Sequence, residues 1–436
     1  MKKLRTRVLN VLLSERLHRM RCSVREAGRR ILRRRHTVRV FLELDDPYSY
    51  LLSQYLPALE ESFDIELEVH LAEALGEGYR PRPDMWSEYA AADCERLARE
   101  LAIPFLDKNP SPPVEHRRAL LELLASNPDE LPGAIEQYWR GDAEGIARRV
   151  IGVKPNGAAD SLLKRNSELL GELGHYNCAT ISYAGEWYWG VDRLPYLVAR
   201  LESLGALRSE KVAPSLTAIR QAMHVNLPVS PPGATRELPP LELFHSFRSP
   251  YSYLSLRRIF DIADAFGLEL RIRPVLPMVM RGLPVPRNKL LYIVRDAWRE
   301  AERMGIPFGP FADTIGVATE RSCAVFYYAQ QERRAREFVL NLGEATWSQA
   351  IDVATDDGMR KVTGRTGLFW PDVVATMQDD SWRIKAEENR ESMMESGSWG
   401  VPTVRIGDFV AWGQDRDWLL VRHLEELCDT GEGILV

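Results

Sequence analysis

The chain has 436 residues, of which 45% are apolar, and a net charge of −5 at neutral pH. It is long enough for two ordinary domains with full cores, and its charge does not indicate a specific nucleic-acid partner. None of its apolar runs approaches the roughly 18 residues that a membrane-spanning helix needs, and the short run at 8–13 is too interrupted for a secretory signal. The expected location is therefore the cytoplasm.

The first 39 residues concentrate positive charge. They contain fourteen lysines and arginines against two glutamates, a net charge of about +12. Apolar residues recur among them at helical spacing, namely Leu9, Leu12, Leu13, Leu17 and Met20. This pattern is compatible with a peripheral anchor on acidic phospholipid or nucleic acid, and also with a frayed, solvated extension. Both interpretations stay open for residues 1–37.

A strand-to-helix corner occurs twice in the chain. Residues 241–256 read LELFHSFRSPYSYLSL, and residues 41–51 read FLELDDPYSYL, with the shared Pro-Tyr-Ser-Tyr-Leu 203 positions apart. Each stretch predicts an apolar strand, a sharp polar corner and the first turn of a helix. Because a helix start leaves N–H donors unpaired and carries a partial positive charge, such a corner suits an anion or a thiolate.

The elements that follow the corner also recur in the same order, which indicates an internal repeat. For the first and second copies respectively, we predict a helix at 49–62 and 252–266, a strand at 65–71 and 268–275, a strand at 179–183 and 401–406, and a strand at 186–189 and 409–412. A terminal helix closes each copy. The offset grows from 203 at the corner to 223 at the closing Trp-Gly-x-Asp-Arg motif, so the second copy has about twenty more residues in its helical middle.

The repeat predicts the domain organisation. A basic extension at 1–37 precedes a first domain at 38–205, a proline-rich linker at 206–240 and a second domain at 241–430. The linker contains one possible helix at 214–224. It then reads Leu-Pro-Val-Ser-Pro-Pro-Gly, which does not form a regular element because proline removes a donor and restricts the backbone. A β-α-β start, a large helical insertion and a β-β-α end predict the α/β class, with a mixed central sheet flanked by helices in each domain.

Four motifs of the second copy, taken in order, resemble a known family. They are the Ser-Pro-Tyr-Ser corner at 249–252, KLLYIVRD at 289–296, Gly-Val-Pro-Thr at 400–403 and WGQDR at 412–416. The set resembles the 2-hydroxychromene-2-carboxylate isomerase and kappa-class glutathione transferase branch of the DsbA-like thioredoxin superfamily, and residues 38–204 resemble it more weakly. The resemblance implies two tandem thioredoxin-like domains. Because Ser249 and Ser252 stand where the family's oxidoreductases have cysteines, it argues against thiol–disulfide exchange.

Ser249 is the predicted catalytic residue. A serine hydroxyl is a poor nucleophile without a base, and His245, four residues earlier on the strand, is expected to be a packed histidine. The hydroxyl is better suited to donate a hydrogen bond to an anionic sulfur, which the helix start also favours. The resemblance implies that this sulfur is the thiolate of glutathione and that the substrate is a small unsaturated or aromatic molecule.

The resemblance also implies which residues hold the rest of glutathione. Pro402 is expected to follow a cis peptide bond, with the backbone of Val401 pairing with the cysteinyl part. Gln414 and Asp415, expected at the start of the last helix, would hold the γ-glutamyl group, and Lys289 would reach the tripeptide. For Asp415, a helix-capping role is an open alternative.

The first copy departs from this pattern at two positions. Asp46 occupies the place of Ser249, and Ala179 occupies the place of Pro402. Because a carboxylate repels a thiolate, the first domain is not expected to bind glutathione. Its expected role is to pair with the second domain inside one chain, and an acid–base activity at Asp45 and Asp46 is an alternative.

The cysteines bear on the competing functions. The five cysteines, which are Cys22, Cys94, Cys178, Cys323 and Cys428, are far apart and show no C-x-x-C or metal-site spacing. We expect reduced, mostly packed thiols and no metal. The leading hypothesis is a glutathione-dependent isomerase or transferase. The alternatives are a residual DsbA-like thiol oxidoreductase using Cys178 or Cys323, and a non-catalytic thioredoxin-fold binding or scaffold protein localised by its basic segment.

Overall fold

The structure is a computed structural model that describes residues 10, 14–76, 78–104, 114–209, 211–229 and 238–429. The described chain divides into two compact units. The amino-terminal unit comprises the described residues of Arg19–His224 and Pro286–Tyr292, and the carboxy-terminal unit comprises those of Met1–His18, Val225–Val285 and Ile293–Val436.

The amino-terminal unit is built on a four-stranded mixed sheet. Its strands are β1 (His36–Leu42), β2 (Ile65–Leu71), β3 (Thr180–Tyr183) and β4 (Glu186–Trp189), in the order β2-β1-β3-β4. The β1–β2 pair is parallel and the other pairs are antiparallel. Its helices are Pro47–Ser53, Leu56–Ser62, Pro83–Glu100, Val114–Ser126, Leu131–Trp139, Ala143–Arg149, Ala158–Leu173, Leu194–Ser203 and Pro214–Ala222, with 3-10 turns at Pro128–Glu130 and Val191–Arg193.

The carboxy-terminal unit has a sheet of the same topology. Its strands are β5 (Leu241–His245), β6 (Leu270–Pro274), β7 (Thr403–Ile406) and β8 (Phe409–Trp412), in the order β6-β5-β7-β8, with β5–β6 parallel and the other pairs antiparallel. Its helices are Pro250–Phe266, Val317–Gln331, Ala335–Trp347, Asp356–Thr366, Trp370–Thr376, Trp382–Glu395 and Asp417–Asp429, with a 3-10 turn at Met278–Arg281. The helix Arg287–Met304 contributes its residues up to 292 to the amino-terminal unit and the rest to this unit.

The central strand of the carboxy-terminal unit explains where its core lies. All five residues of β5 are buried, because this strand lies between two others with both faces covered. Leu241, Leu243 and Phe244 supply its apolar surface, and Glu242 is buried with them. The carboxyl end of β5 leads directly into the Ser249 corner, so the corner is attached to the most buried strand of the unit.

Local sequence determines both ends of the helix Pro250–Phe266 that follows this corner. Ser249 caps the helix, and Pro250 follows at a first-turn position, where its missing N–H costs nothing. Gly267 ends the helix with a positive φ of 68°, a conformation in which glycine avoids the Cβ clash that other residues meet. The capped first turn keeps the half-buried Ser249 at the start of a rigid element.

Side-chain hydrogen bonds recur at the same offset in the two units. The N–H of Ser49 donates to the carboxylate of Asp46 at 3.1 Å, and the N–H of Ser252 donates to the hydroxyl of Ser249 at 3.1 Å. Likewise, the hydroxyl of Tyr48 donates to Asp93 and the hydroxyl of Tyr251 to Asp296, both at 2.8 Å. The two units therefore share strand order and local corner geometry as well as sequence motifs.

The structure corrects one sequence prediction about the fold and shows in which unit two further segments lie. The single helix expected at 49–62 is two helices, Pro47–Ser53 and Leu56–Ser62, because Pro57 lacks the N–H that a continuous helix needs. The possible helix at 214–224 of the predicted linker is present as Pro214–Ala222, and it belongs to the amino-terminal unit. The segment Pro286–Tyr292 was expected in the second domain and also belongs to the amino-terminal unit.

The basic segment is helical over Glu15–Ile31, so this part is not frayed. Cys22 and Glu26 are buried on this helix, and Glu26 pairs with Arg29 and Arg30, both at 2.8 Å. The hydrogen bond from Arg29 holds the pKa of Glu26 at about 2. Leu9, Leu12 and Leu13 of the predicted anchor lie outside the described residues. In the described parts of the chain, every helix is too short or too polar to cross a bilayer.

Candidate functional site

Ser249 lies at the junction between β5 and the helix Pro250–Phe266. Its Oγ accepts a hydrogen bond from the N–H of Ser252 at 3.1 Å, which fixes the orientation of the oxygen. The hydroxyl donates to the carbonyl oxygen of Val401 at 3.4 Å. That separation is long for an O–H···O bond, whose usual range is about 2.5–3.0 Å. The hydroxyl proton is therefore weakly held and available to a stronger acceptor at the helix start.

Val401 belongs to the loop that faces this corner. The Val401–Pro402 peptide bond is cis, as expected from the sequence. The carbonyl oxygen of Pro402 accepts from the N–H of Gly413 at 2.9 Å, which ties the loop to the end of β8. Ser249 and Val401, two residues 152 positions apart, are thus brought into direct contact.

A small cavity lies behind the corner. Its volume of about 10 Å³ is near that of one water molecule. His245 and Ser246 line it together with Ser249, Tyr253, Leu342 and Trp347. An aromatic substrate does not fit into this space.

His245 is a packed residue, as the sequence predicted. It is 3% exposed, it contacts the ring of Phe247 edge-on, and burial lowers its pKa to about 3. A histidine with that pKa is a weak base at neutral pH. His245 is therefore not a general base for Ser249. This agrees with a role of Ser249 as a hydrogen-bond donor and not as a nucleophile.

The family model of the DSBA-like thioredoxin domain matches residues 240–425. Residues 240–425 are a DSBA-like thioredoxin domain. The match includes the Ser249 corner, the Val401–Pro402 loop and the last helix as far as residue 425.

Curated relatives of the DSBA-like domain carry an isomerase name. The chain is 26% identical over 196 residues to a 2-hydroxychromene-2-carboxylate isomerase of Pseudomonas putida, covering 43% of this chain and 95% of that protein. It is 23% identical to the enzyme of that name from Sphingobium xenophagum, covering 40% and 93%. A solved 2-hydroxychromene-2-carboxylate isomerase structure aligns with a TM-score of 0.39 and 26% identity, covering 44% and 96%.

Gln414 and Asp415 lie in the DSBA-like domain, but the last helix begins after them, at Asp417. The side-chain amide of Gln414 is buried and donates to the carboxylate of Glu300 at 3.0 Å. Glu300 also pairs with Arg303 at 2.9 Å. Gln414 is therefore held inside the fold. Asp415 is less buried, so it remains the better candidate of the two for a ligand contact.

Lys289 lies within the matched residues 240–425, but residues 286–292 belong to the amino-terminal unit. Its ammonium group donates to the carbonyl oxygen of Tyr79 at 2.9 Å and lies 5.9 Å from the centre of the Tyr176 ring. Burial lowers its pKa to about 8. Lys289 and Ser249 belong to different compact units. The role of Lys289 in ligand binding stays a prediction.

Sequence reasoning missed Arg281 in the DSBA-like domain. This residue ends the 3-10 turn Met278–Arg281, and its guanidinium donates to the carbonyl oxygen of Trp399 at 3.1 Å. Trp399 is two residues before Val401. The available signal was a basic residue in an otherwise apolar Met-Val-Met-Arg-Gly-Leu stretch, which lies between β6 and the next helix.

The corresponding corner of the amino-terminal unit has opposite electrostatics. Asp46 is 4% exposed, and its Oδ1 has no hydrogen-bond partner among the described residues. Glu43 accepts from Arg80 at 3.1 Å, and Arg80 donates to Asn177 at 3.2 Å. Burial raises the pKa of Glu43 to about 7 and also raises that of Asp46. This corner is a carboxylate-rich cluster, which disfavours a thiolate.

The cysteines named in the thiol oxidoreductase hypothesis are inaccessible. Cys178 is 1% exposed and Cys323 is 0% exposed, and burial raises the pKa of both thiols. The five cysteines, all of which lie among the described residues, form no disulfide. Because the thiolate is the reactive form, these two residues lack the properties of redox-active cysteines.

We expect Cys178 and Cys323 to resist alkylation in the folded protein. Treatment with iodoacetamide at neutral pH, followed by digestion and mass spectrometry, measures each site separately. The less buried Cys428 serves as an internal comparison, and the same protein in urea shows complete labelling. Rapid native-state modification of Cys178 would revive the oxidoreductase hypothesis.

Proposed function

We propose that this protein is a glutathione-dependent isomerase or transferase that acts on a small unsaturated or aromatic molecule, with Ser249 holding the sulfur of glutathione. The observation that carries the proposal is the Ser249 hydroxyl, which lies at a helix start and donates only a long, 3.4 Å hydrogen bond to Val401. The relatives named 2-hydroxychromene-2-carboxylate isomerase support the class of reaction.

The corner fits an anionic sulfur in two ways. The hydroxyl of Ser249 supplies a hydrogen-bond donor, while its lone pair is already occupied by the N–H of Ser252. The first turn of the 17-residue helix Pro250–Phe266 supplies a partial positive charge. Both effects stabilise a thiolate more than a thiol, so they lower the pKa of a bound thiol.

Glutathione, when bound, supplies a nucleophilic sulfur that adds reversibly to an unsaturated carbon of the substrate. The chain's own contribution is positioning and electrostatics: Ser249 holds the sulfur, and the backbone of Val401 lies opposite. Asp415 stays a predicted contact for the γ-glutamyl amine. The fit is incomplete at Gln414, whose amide is taken by Glu300.

We further propose that the amino-terminal unit is a second, degenerate thioredoxin-like domain that has lost glutathione binding. The shared strand order and the repeated corner hydrogen bonds support the duplication. The cluster of Asp46, Glu43 and Arg80 supports the loss, because a thiolate would meet carboxylates there. Pairing of the two domains and a cytoplasmic location, where glutathione is reduced, complete this proposal.

A thermal shift experiment tests the proposal directly. Because a ligand that binds only the folded state stabilises it, millimolar glutathione should raise the melting temperature by about 2–4 °C if its concentration exceeds Kd about a hundredfold. A glutathione analogue with a methyl group in place of the thiol is the control, and it should give a clearly smaller shift. The same midpoint with and without glutathione would refute the proposal.

A further inference from the structure

Arg281 is a partly buried cation without an anionic partner. Its Nη2 donates to the carbonyl oxygen of Trp399 at 3.1 Å, while its Nε is buried and has no hydrogen-bond partner. Among the described residues, no carboxylate lies within salt-bridge distance of its guanidinium. Taking a charge out of water without pairing it is unfavourable, so a buried guanidinium normally has an anion beside it.

The charged side chains nearest to Arg281 do not neutralise it. They belong to the helix Trp382–Glu395, where Arg390 and Glu387 face it. Glu387 accepts from Arg390 at 2.6 Å and is already paired. Burial, and then repulsion by Arg390, lower the pKa of Arg281 to about 10. The group remains charged at neutral pH, and the carboxylates of Glu387 and Glu391 are both paired with Arg390 and not with Arg281.

The position of Arg281 relates it to the Ser249 corner. Arg281 bonds to the carbonyl of Trp399, and Ser249 bonds to the carbonyl of Val401, two residues further along the same loop. Since two residues of chain span at most about 7 Å, the guanidinium lies within about 14 Å of the Ser249 hydroxyl. In glutathione the sulfur lies on the middle residue, so about two residues of chain, at most about 7 Å, separate it from the glycine carboxylate. A hydrogen bond of about 3 Å at each end extends this span to about 13 Å, which is comparable to the limit of about 14 Å.

We propose that Arg281 binds a carboxylate of the ligand complex at the Ser249 corner. This inference rests on the proposed function, and it specifies that function by requiring an acidic ligand. A planar guanidinium has five N–H donors and binds a carboxylate through two parallel N–H···O bonds, and one donor of Arg281 is engaged by Trp399. The carboxylate comes either from the glycine end of glutathione or from the substrate.

Calorimetric titration distinguishes the two sources. In the first arm, glutathione and its glycine ethyl ester are titrated into the wild-type protein and Arg281→Gln. If the glycine carboxylate is bound, the variant loses affinity for the free acid by about 10- to 100-fold and leaves ester binding nearly unchanged. In the second arm, benzoate and benzamide are titrated into the glutathione-bound proteins, and a loss confined to benzoate assigns the contact to the substrate.

Two further variants make the test specific. Arg271→Gln removes an arginine that is exposed and paired with Glu269, and it should leave all four titrations unchanged. Arg281→Lys keeps the charge but not the planar fork, so it should give an intermediate loss, and it replaces Arg281→Gln if that variant does not fold.

The outcomes separate the inference from the function on which it rests. If glutathione fails to bind the wild-type protein, the proposed function is refuted, and this inference falls with it. If glutathione binds and the Arg281 variants bind both acids as tightly as the wild type does, only the role of Arg281 is refuted.

Discussion

Replacing Ser249 by alanine should slow turnover by about 10- to 100-fold, because a hydrogen bond to a charged group contributes about 1.5–3 kcal/mol. The same change should raise the pKa of the bound glutathione thiol by about 1 or more. The hydroxyl is the donor that the long contact with Val401 leaves available. Ultraviolet thiolate absorbance of the glutathione complex, followed across pH, measures this pKa independently of any substrate.

The control for Ser249→Ala must lose the same amount of stability as this variant loses with its helix cap. Ser249 also caps a helix, and losing such a cap costs about 1 kcal/mol. Thr355→Ala removes an equivalent cap in the same unit, where the Thr355 side chain accepts from the N–H of Gly358 at 3.1 Å. Thr355→Ala should lose similar stability and keep the thiol pKa. An unchanged pKa in Ser249→Ala would remove Ser249 from the mechanism.

Glu242→Gln should destabilise the carboxy-terminal unit by about 3 kcal/mol. The carboxylate of Glu242 is 9% exposed and pairs with both Arg273 and Arg405, whose guanidinium groups also lie over the ring of Phe244. Removing the anion leaves two partly buried cations beside a neutral amide, and breaking a buried pair in this way is costly. Hydrogen exchange at the β5 amides reports the stability of this unit specifically.

The neighbouring Arg271 provides a comparison on the same sheet. It pairs with Glu269 at 2.8 Å, but both side chains are about half exposed or more, at 49% and 64%. Arg271→Ala should therefore change the free energy of unfolding by less than about 1 kcal/mol. Equal losses for Glu242→Gln and Arg271→Ala would show that the Glu242 network is not a major source of stability.

Local pattern was sufficient to locate the elements around the site. Apolar runs and the repeated Pro-Tyr-Ser-Tyr-Leu corner predicted all eight strands, and the strand at Ile65–Leu71 has the predicted bounds. The corner could be predicted from the sequence because the preferences of helix caps and of proline depend on only a few neighbouring residues. The break near Pro57 was missed although its cause is equally local, since proline in the first turn starts a second helix and does not merely bend one.

Hydrogen bonds between side chains of distant segments could not be predicted from local sequence pattern. The sequence placed Ser249 at a helix start and Val401 before a proline, and these positions depend on neighbours in the chain. Tertiary packing alone decided that Gln414 donates to Glu300, that Lys289 bonds to Tyr79 and that Arg281 has no anion beside it. The two hydrogen bonds join residues that are more than a hundred positions apart in the sequence. No periodicity or motif in the sequence specifies which distant polar groups come into contact in the folded protein.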